Sequence, residues 1–98
     1  MKLNLSWNRN LKDEGVRNIV KGIPTHNNLK RLHLDFEFCN LSSKSGVFIG
    51  KLFPKLTKVE YLEVHLSENL EFKGEGVKNI VQGITIHNHL KRLHLDFK

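Results

Sequence analysis

The chain has 98 residues, a net charge of +6 with neutral histidines, and 39% hydrophobic residues, which suits one small domain with a thin core. The absence of any run of about 18 apolar residues predicts no membrane span. The single cysteine excludes an intrachain disulfide, so a cytoplasmic location is expected, with the nucleus as the alternative.

The first predicted elements are a short strand and a helix. Residues 1–5 alternate apolar and polar side chains, as expected of a strand with one buried face. After Gly15 the apolar spacing becomes helical. Pro24 predicts that this helix stops after Ile23, because proline cannot continue the hydrogen-bond ladder.

The same order of elements recurs twice along the chain. Pro54 predicts that the middle helix ends near Leu52. Thr85 stands where the first helix has Pro24, so the third helix is expected to run slightly longer. The remaining strands are predicted at residues 32–36, 62–66 and 93–97.

An internal repeat underlies this recurrence. Gly15–Phe36 and Gly76–Phe97 match at 17 of 22 positions without a gap, at an offset of 61 residues. Gly46 lies between them at spacings of 31 and 30, which indicates a more divergent middle copy. We therefore expect a single domain over residues 1–98, with units at 1–31, 32–61 and 62–92 and a partial unit at 93–98.

The turn after each strand carries a second recurring feature. Asn8, Cys39 and Asn69 each follow the last buried strand position by three residues. With the leucines before it, this pattern resembles the leucine-rich-repeat signature LxLxxN/CxL, and the unit is similar to the ribonuclease-inhibitor-like subclass. The resemblance implies an α/β solenoid with a curved parallel sheet on its concave side and helices on its convex side. It also implies that the Asn or Cys side chain hydrogen-bonds backbone groups in the turn.

The repeat alignment places the polar strand residues in columns, because equivalent residues of adjacent parallel strands lie side by side. Neighbouring carboxylates favour charged imidazoles, so histidines within these columns are expected to titrate above about 6.5. Tyr61 is expected between two arginines. The columns contain Arg31, Tyr61 and Arg92; Lys2, His33, Glu63 and His94; Asn4, Asp35, His65 and Asp96; and Ser6, Glu37, Ser67 and Lys98.

Three interpretations of these columns remain open. Alternating charge can simply keep like charges apart. The columns can also form a recognition surface for a protein partner, since Tyr and Arg are common binding hot spots. A metal site built from the histidines and Glu63 is the least favoured, because no HxxxH or CxxC spacing focuses the ligands and a flat sheet face does not make a tetrahedron.

The sequence favours a protein-binding or scaffold module over an enzyme, since no GxSxG, HExxH or phosphate-binding glycine loop occurs. No cofactor and no metal is expected. The partner-binding residues are predicted to be Arg31, His33, Asp35, Tyr61, Glu63, His65, Arg92, His94 and Asp96. One alternative is nucleic-acid or acidic-surface binding through the basic helical face, although carboxylates on the strands disfavour nucleic acid. Another is a regulatory segment of a larger enzyme.

The ends of the chain carry no capping sequence, which suggests a fragment or an uncapped array. Solenoids need about three repeats and polar caps to be stable. The expectation is therefore either a marginally stable domain or one that self-associates end to end through unpaired strand edges.

Overall fold

The computed structural model describes residues 1–25, 28–86 and 90–97, in which strands and helices alternate. The first two helices each continue into one turn of 3-10 helix, at Ile23–Thr25 and Phe53–Lys55. None of the helices in the described part of the chain is long and apolar enough to cross a bilayer. In chain order the elements are β1 (Lys2–Asn4), α1 (Lys12–Gly22), β2 (Arg31–Asp35), α2 (Ser43–Leu52), β3 (Tyr61–His65), α3 (Lys73–Ile86) and β4 (Arg92–Asp96).

The strands form one parallel sheet in the order β1-β2-β3-β4. Leu32 pairs with Leu62, and Leu62 pairs with Leu93, so equivalent leucines are direct neighbours. On the other side, Leu3 of β1 pairs with Leu34 of β2. The strand register predicted from the repeat spacing is therefore confirmed, and the fold is α/β.

The helix ends also follow the sequence pattern. Helix α1 ends at Gly22 before the turn containing Pro24, and α2 ends at Leu52 before the turn containing Pro54. With Thr85 in place of proline, α3 extends to Ile86 and is 14 residues long, against 11 and 10 for the other two. Proline thus sets the helix length, as predicted.

The core lies between one face of the sheet and the helices. Leu34 and Val64 of the strands and Ile49 and Ile80 of α2 and α3 are fully buried there. Burying each such side chain contributes about 1.5 to 3 kcal/mol relative to exposure. The opposite face of the sheet carries the polar residues of the columns, which are half-buried on β2 and β3 apart from the exposed Arg31.

The glycines that recur at spacings of 31 and 30 residues lie inside the helices. Each helix begins three residues before its glycine, at Lys12, Ser43 and Lys73. A β-carbon added at Gly46 would lie 2.5 Å from the carbonyl oxygen of Gly76, which no real side chain tolerates. Gly50 and Gly83 leave equally little room, so the missing side chains of Gly46, Gly50 and Gly83 let the backbones of α2 and α3 approach closely.

Candidate functional site

The polar face of the sheet holds the predicted columns in the expected register. Arg31 pairs with Tyr61 and Tyr61 with Arg92 at the start of the strands. In the middle, His33, Glu63 and His94 lie side by side, and Lys2 flanks His33. At the strand ends Asp35, His65 and Asp96 are neighbours, with Asn4 beside Asp35. The fourth column lies beyond the strands, and its member Lys98 lies outside the described residues.

The first column contains a cation–π contact. The guanidinium carbon of Arg31 lies 4.3 Å from the centroid of the Tyr61 ring, within the range of a favourable interaction. Among the described residues Arg31 is the only arginine stacked on this ring, so the predicted sandwich with Arg92 is one-sided.

The middle of the face contains a short ionic contact that the repeat alignment did not predict. His65 Nε2 lies 2.5 Å from Glu63 Oε2, two residues away on the same strand. His33 Nε2 lies 3.6 Å from the same oxygen. Alternate residues of one strand share a face, and Glu63 therefore contacts a histidine along its strand as well as the one across from it.

The second nitrogen of His65 faces two further carboxylates. Its Nδ1 lies 3.7 Å from Asp96 Oδ2 and 3.9 Å from Glu37 Oε1. The sequence placed His65 between Asp35 and Asp96, and both residues pair with it in the sheet. Glu37, from the turn after β2, is thus a third carboxylate near this imidazole, beside Asp35 and Asp96.

The groups around His65 and Glu63 set the protonation states of these two side chains. Burial disfavours the charged imidazole of His65, but the hydrogen bond to Glu63 and the charges of Glu63 and Asp35 outweigh it and raise the pKa above the ordinary 6.5. The hydrogen bond from His65 lowers the pKa of Glu63 below 4.5, against a smaller opposing effect of burial. An ionised, hydrogen-bonded pair therefore lies at the centre of the polar face.

The three histidines on this face form a row. The rings of His33 and His65 have centroids 5.2 Å apart, and so do those of His65 and His94. Within the described residues, the buried Nε2 atom of His33 has no hydrogen-bond partner. Three donors of metal-ligating type, from His33, Glu63 and His65, lie within 4.8 Å of one another, and Glu37, His65 and Asp96 form a second such group.

The turns after the strands hold the polar face in place. Asn69 Oδ1 accepts hydrogen bonds from the backbone amides of Cys39 and Leu41, at 3.0 and 3.1 Å. Its Nδ2 donates to the carbonyls of Phe36 and Leu66, both at 2.9 Å. The expectation that this side chain bonds backbone groups in the turns is thus confirmed. The bonds to Cys39, Leu41 and Phe36 tie its repeat to the preceding one, and the bond to Leu66 stays within its own repeat.

In the turn after β2, Cys39 has the same role as Asn69 and bonds a backbone group of the preceding unit. Its thiol donates to the carbonyl of Leu5 at 3.0 Å. Burial raises the pKa of the thiol and outweighs the backbone hydrogen bond from Asn8, which lowers it. The charge of Asp35 raises the pKa by a smaller amount, and a backbone hydrogen bond from Trp7 lowers it by less still. A protonated, buried thiol is unreactive, which agrees with its interpretation as a structural residue.

Beside the carboxyl ends of the strands lies an aromatic cluster that sequence reasoning missed. Trp7 is 69% exposed, and its ring meets that of Phe38 edge-on with centroids 4.8 Å apart. The guanidinium of Arg9 covers Phe38 at 5.1 Å. The signal was available, because Trp7 and Phe38 occupy the same position of successive units, and Trp and Arg are typical binding hot spots.

The start of the strands forms an open groove of about 610 Å³, lined among others by Arg31, Tyr61, Glu63 and Arg92. The histidines between helix and strand in the sequence, His26, His87 and His89, lie outside the described residues.

No family model, curated protein or solved structure matches this chain. Its function therefore has to be inferred from the side chains of the polar face.

Proposed function

We propose that the chain is a leucine-rich-repeat solenoid segment of the ribonuclease-inhibitor-like type. Three properties support this. The units are 30 or 31 residues long, the strands of successive units are parallel neighbours, and the turn residue Asn69 bonds backbone groups of two units. In such an array each unit buries its apolar face against the next, which leaves one face of the sheet free for binding.

We further propose that this polar face binds a protein partner, and that the chain serves as an interaction or scaffold module without catalytic activity. The observation that carries the proposal is the separation of charge along the strands. Arg31 and Arg92 lie at the start of the strands, and Asp35 and Asp96 lie at their ends. Five-residue strands separate the two groups by about 13 Å, at about 3.3 Å per residue.

A partner that fits this face presents an acidic group over the arginines and a basic group over the aspartates. Tyr61, held by Arg31, supplies a rigid aromatic anchor near the first contact, and Tyr and Arg contribute strongly to interfaces. Complementary charge mainly sets specificity and the rate of association. The preferred partner is therefore a protein segment with acidic and basic residues spaced about 13 Å apart.

The experiment compares proteins captured by the immobilised chain with those captured by a Tyr61→Ala/Arg92→Ala variant, using quantitative mass spectrometry. A protein enriched by the wild type is then purified and its affinity is measured by calorimetry. The double change is expected to weaken binding by at least about 2 kcal/mol, roughly thirtyfold, because hot-spot truncations cost this much.

The matched control is Lys51→Ala/Lys55→Ala, which removes two exposed side chains from the helical side. Partner affinity should be unchanged in this control. Arg17, Lys21, Lys51 and Lys55 surround a groove between α1 and α2, so they are the basis of the competing acidic-surface function. Binding that survives the sheet-face change but is lost in the lysine control, with a steep salt dependence, would contradict the proposal and favour that alternative.

A further inference from the structure

The centre of the polar face brings together three side chains that bind transition metals. His33 and Glu63 are cross-strand neighbours on β2 and β3, and His65 follows Glu63 on the same face of β3. Their ligating atoms all lie within 4.8 Å of one another. The separations to Glu63 Oε2 are 3.6 Å for His33 Nε2 and 2.5 Å for His65 Nε2.

The separation of 3.6 Å between His33 Nε2 and Glu63 Oε2 is close to that between two ligands of a zinc ion. Zinc binds histidine nitrogen and carboxylate oxygen at about 2.0 to 2.2 Å. Tetrahedral angles then place the donor atoms about 3.3 to 3.5 Å from one another. To reach that arrangement, the hydrogen bond between His65 Nε2 and Glu63 Oε2 has to open from 2.5 Å by about 1 Å.

His33 provides a second, independent indication. Its Nε2 is buried and, within the described residues, accepts or donates no hydrogen bond. Buried polar atoms are nearly always paired, and one that is not often marks an ion. A metal ion held between His33 and Glu63 would pair this nitrogen, whereas the hydrogen bond between Glu63 and His65 leaves it unpaired.

The surroundings of His65 also fit a metal ligand. A ligating histidine usually donates its other N–H to a carboxylate, which fixes the ring and increases its basicity. The Nδ1 atom of His65 faces Asp96 at 3.7 Å and Glu37 at 3.9 Å. These carboxylates can orient the imidazole while its Nε2 binds the ion.

We propose that His33, Glu63 and His65 form a binding site for a divalent transition metal ion, with zinc as the best match. Two imidazoles and one carboxylate select zinc, cobalt, nickel or copper over magnesium and calcium. Three protein ligands leave one coordination position for water or for a partner's side chain. This proposal does not rest on the protein-binding function, and it replaces the expectation from the sequence that no metal binds.

The sequence disfavours a metal site, because no HxxxH or CxxC spacing occurs among the ligands and the face of a sheet is flat. In the structure, the three ligands are brought together by the pairing of neighbouring strands. Parallel register sets His33 opposite Glu63, and the two-residue strand period adds His65 on the same face. The site is therefore assembled across two strands, for which no local motif exists.

The test is a calorimetric titration of the 98-residue chain, without a histidine tag, with Zn²⁺ at neutral pH. One saturable site per chain is expected, with no binding of Mg²⁺ or Ca²⁺. His33→Gln, Glu63→Gln and His65→Gln should each weaken zinc binding by about tenfold or more, since even second-shell losses cost 10 to 100-fold. Cys39→Ser should bind as the wild type does, because its thiol is buried in the turn.

The matched control is His94→Gln, on the neighbouring strand of the same column but outside the group of three. Its zinc affinity should stay within about twofold of wild type. Thermal unfolding gives a second readout, because a bound ion stabilises the folded state. Zn²⁺ should raise the unfolding midpoint of the wild type and of His94→Gln but not of Glu63→Gln. Absence of saturable binding, or equal weakening by His33→Gln and His94→Gln, would overturn the proposal.

Discussion

At the scale of single residues, Asp13 joins the first unit to the second through three hydrogen bonds. Its carboxylate accepts hydrogen bonds from the hydroxyls of Ser42 and Ser45, both at 2.5 Å, and from the Ser42 amide at 3.0 Å. Helix α2 has no acidic residue in its own first turn. Asp13 of α1 supplies the negative charge that the amino end of α2 favours.

Replacing Asp13 with alanine is therefore expected to destabilise the fold by about 1 to 2 kcal/mol, because charged hydrogen bonds are worth this much at a half-exposed site. Urea denaturation measures the change. Glu14→Ala is the control: its ion pair with Arg17 is exposed, with a separation of 3.8 Å, so this change should cost less than about 0.5 kcal/mol. Equal effects of the two changes would contradict the role of Asp13.

The same contacts predict how stability depends on pH. Burial opposes ionisation of Asp13, but the hydrogen bonds from Ser42 and Ser45 outweigh it and lower the pKa below 3.8. A carboxyl with a lowered pKa stabilises the fold above its unfolded value. That contribution is lost as the pH falls through the folded pKa. The difference in unfolding free energy between wild type and Asp13→Ala should therefore shrink as the pH falls below about 3.8.

At the scale of elements, the turn after each strand adopts the same strained backbone. Trp7, Phe38 and Glu68 have positive φ angles of 68°, 51° and 62°, and they occupy one position of three successive units. The left-handed region costs about 1 to 2 kcal/mol for a residue with a β-carbon. The repeat therefore retains a side chain where glycine would relieve strain.

Glu68→Gly is expected to stabilise the chain by about 0.5 to 1 kcal/mol, because the relief of strain exceeds the entropy cost of glycine. The denaturant midpoint measures the gain. Ser67→Gly is the matched control, since Ser67 is not among the residues with positive φ, and it should destabilise by about 0.5 to 1 kcal/mol. A loss of stability in both variants would show that the turn is not strained at Glu68.

The pairing of the strands could be predicted from the sequence, whereas individual side-chain contacts could not. The strand register followed from the spacing of Leu32, Leu62 and Leu93, because spacing in a repeat specifies which residues become neighbours. The pairing of Glu63 with His65 could not be read the same way, since side-chain rotation decides which of several nearby partners a carboxylate meets. The hydrogen bonds that Ser42 donates to Asp13 could not be predicted either, because this pair of residues does not recur between the later units.

At the scale of the whole molecule, the helices and the polar face depend on each other. The close approach of α2 to α3 at Gly46 and Gly76 packs the helices over the buried leucines. The sheet behind them then presents its alternate residues as columns. Both the proposed partner surface and the proposed metal site need this arrangement, because each combines residues from different strands.

The most direct test of that arrangement is cysteine cross-linking in a Cys39→Ser background. The account predicts that His33→Cys with Glu63→Cys forms a disulfide readily, because paired residues of parallel strands lie about 4.8 Å apart. Asp35→Cys with Glu63→Cys, on the same face but two residues out of register, should not form one, since its separation of about 8 Å is too long. Equal or preferential cross-linking of the second pair, detected by intact-mass spectrometry, would contradict the account.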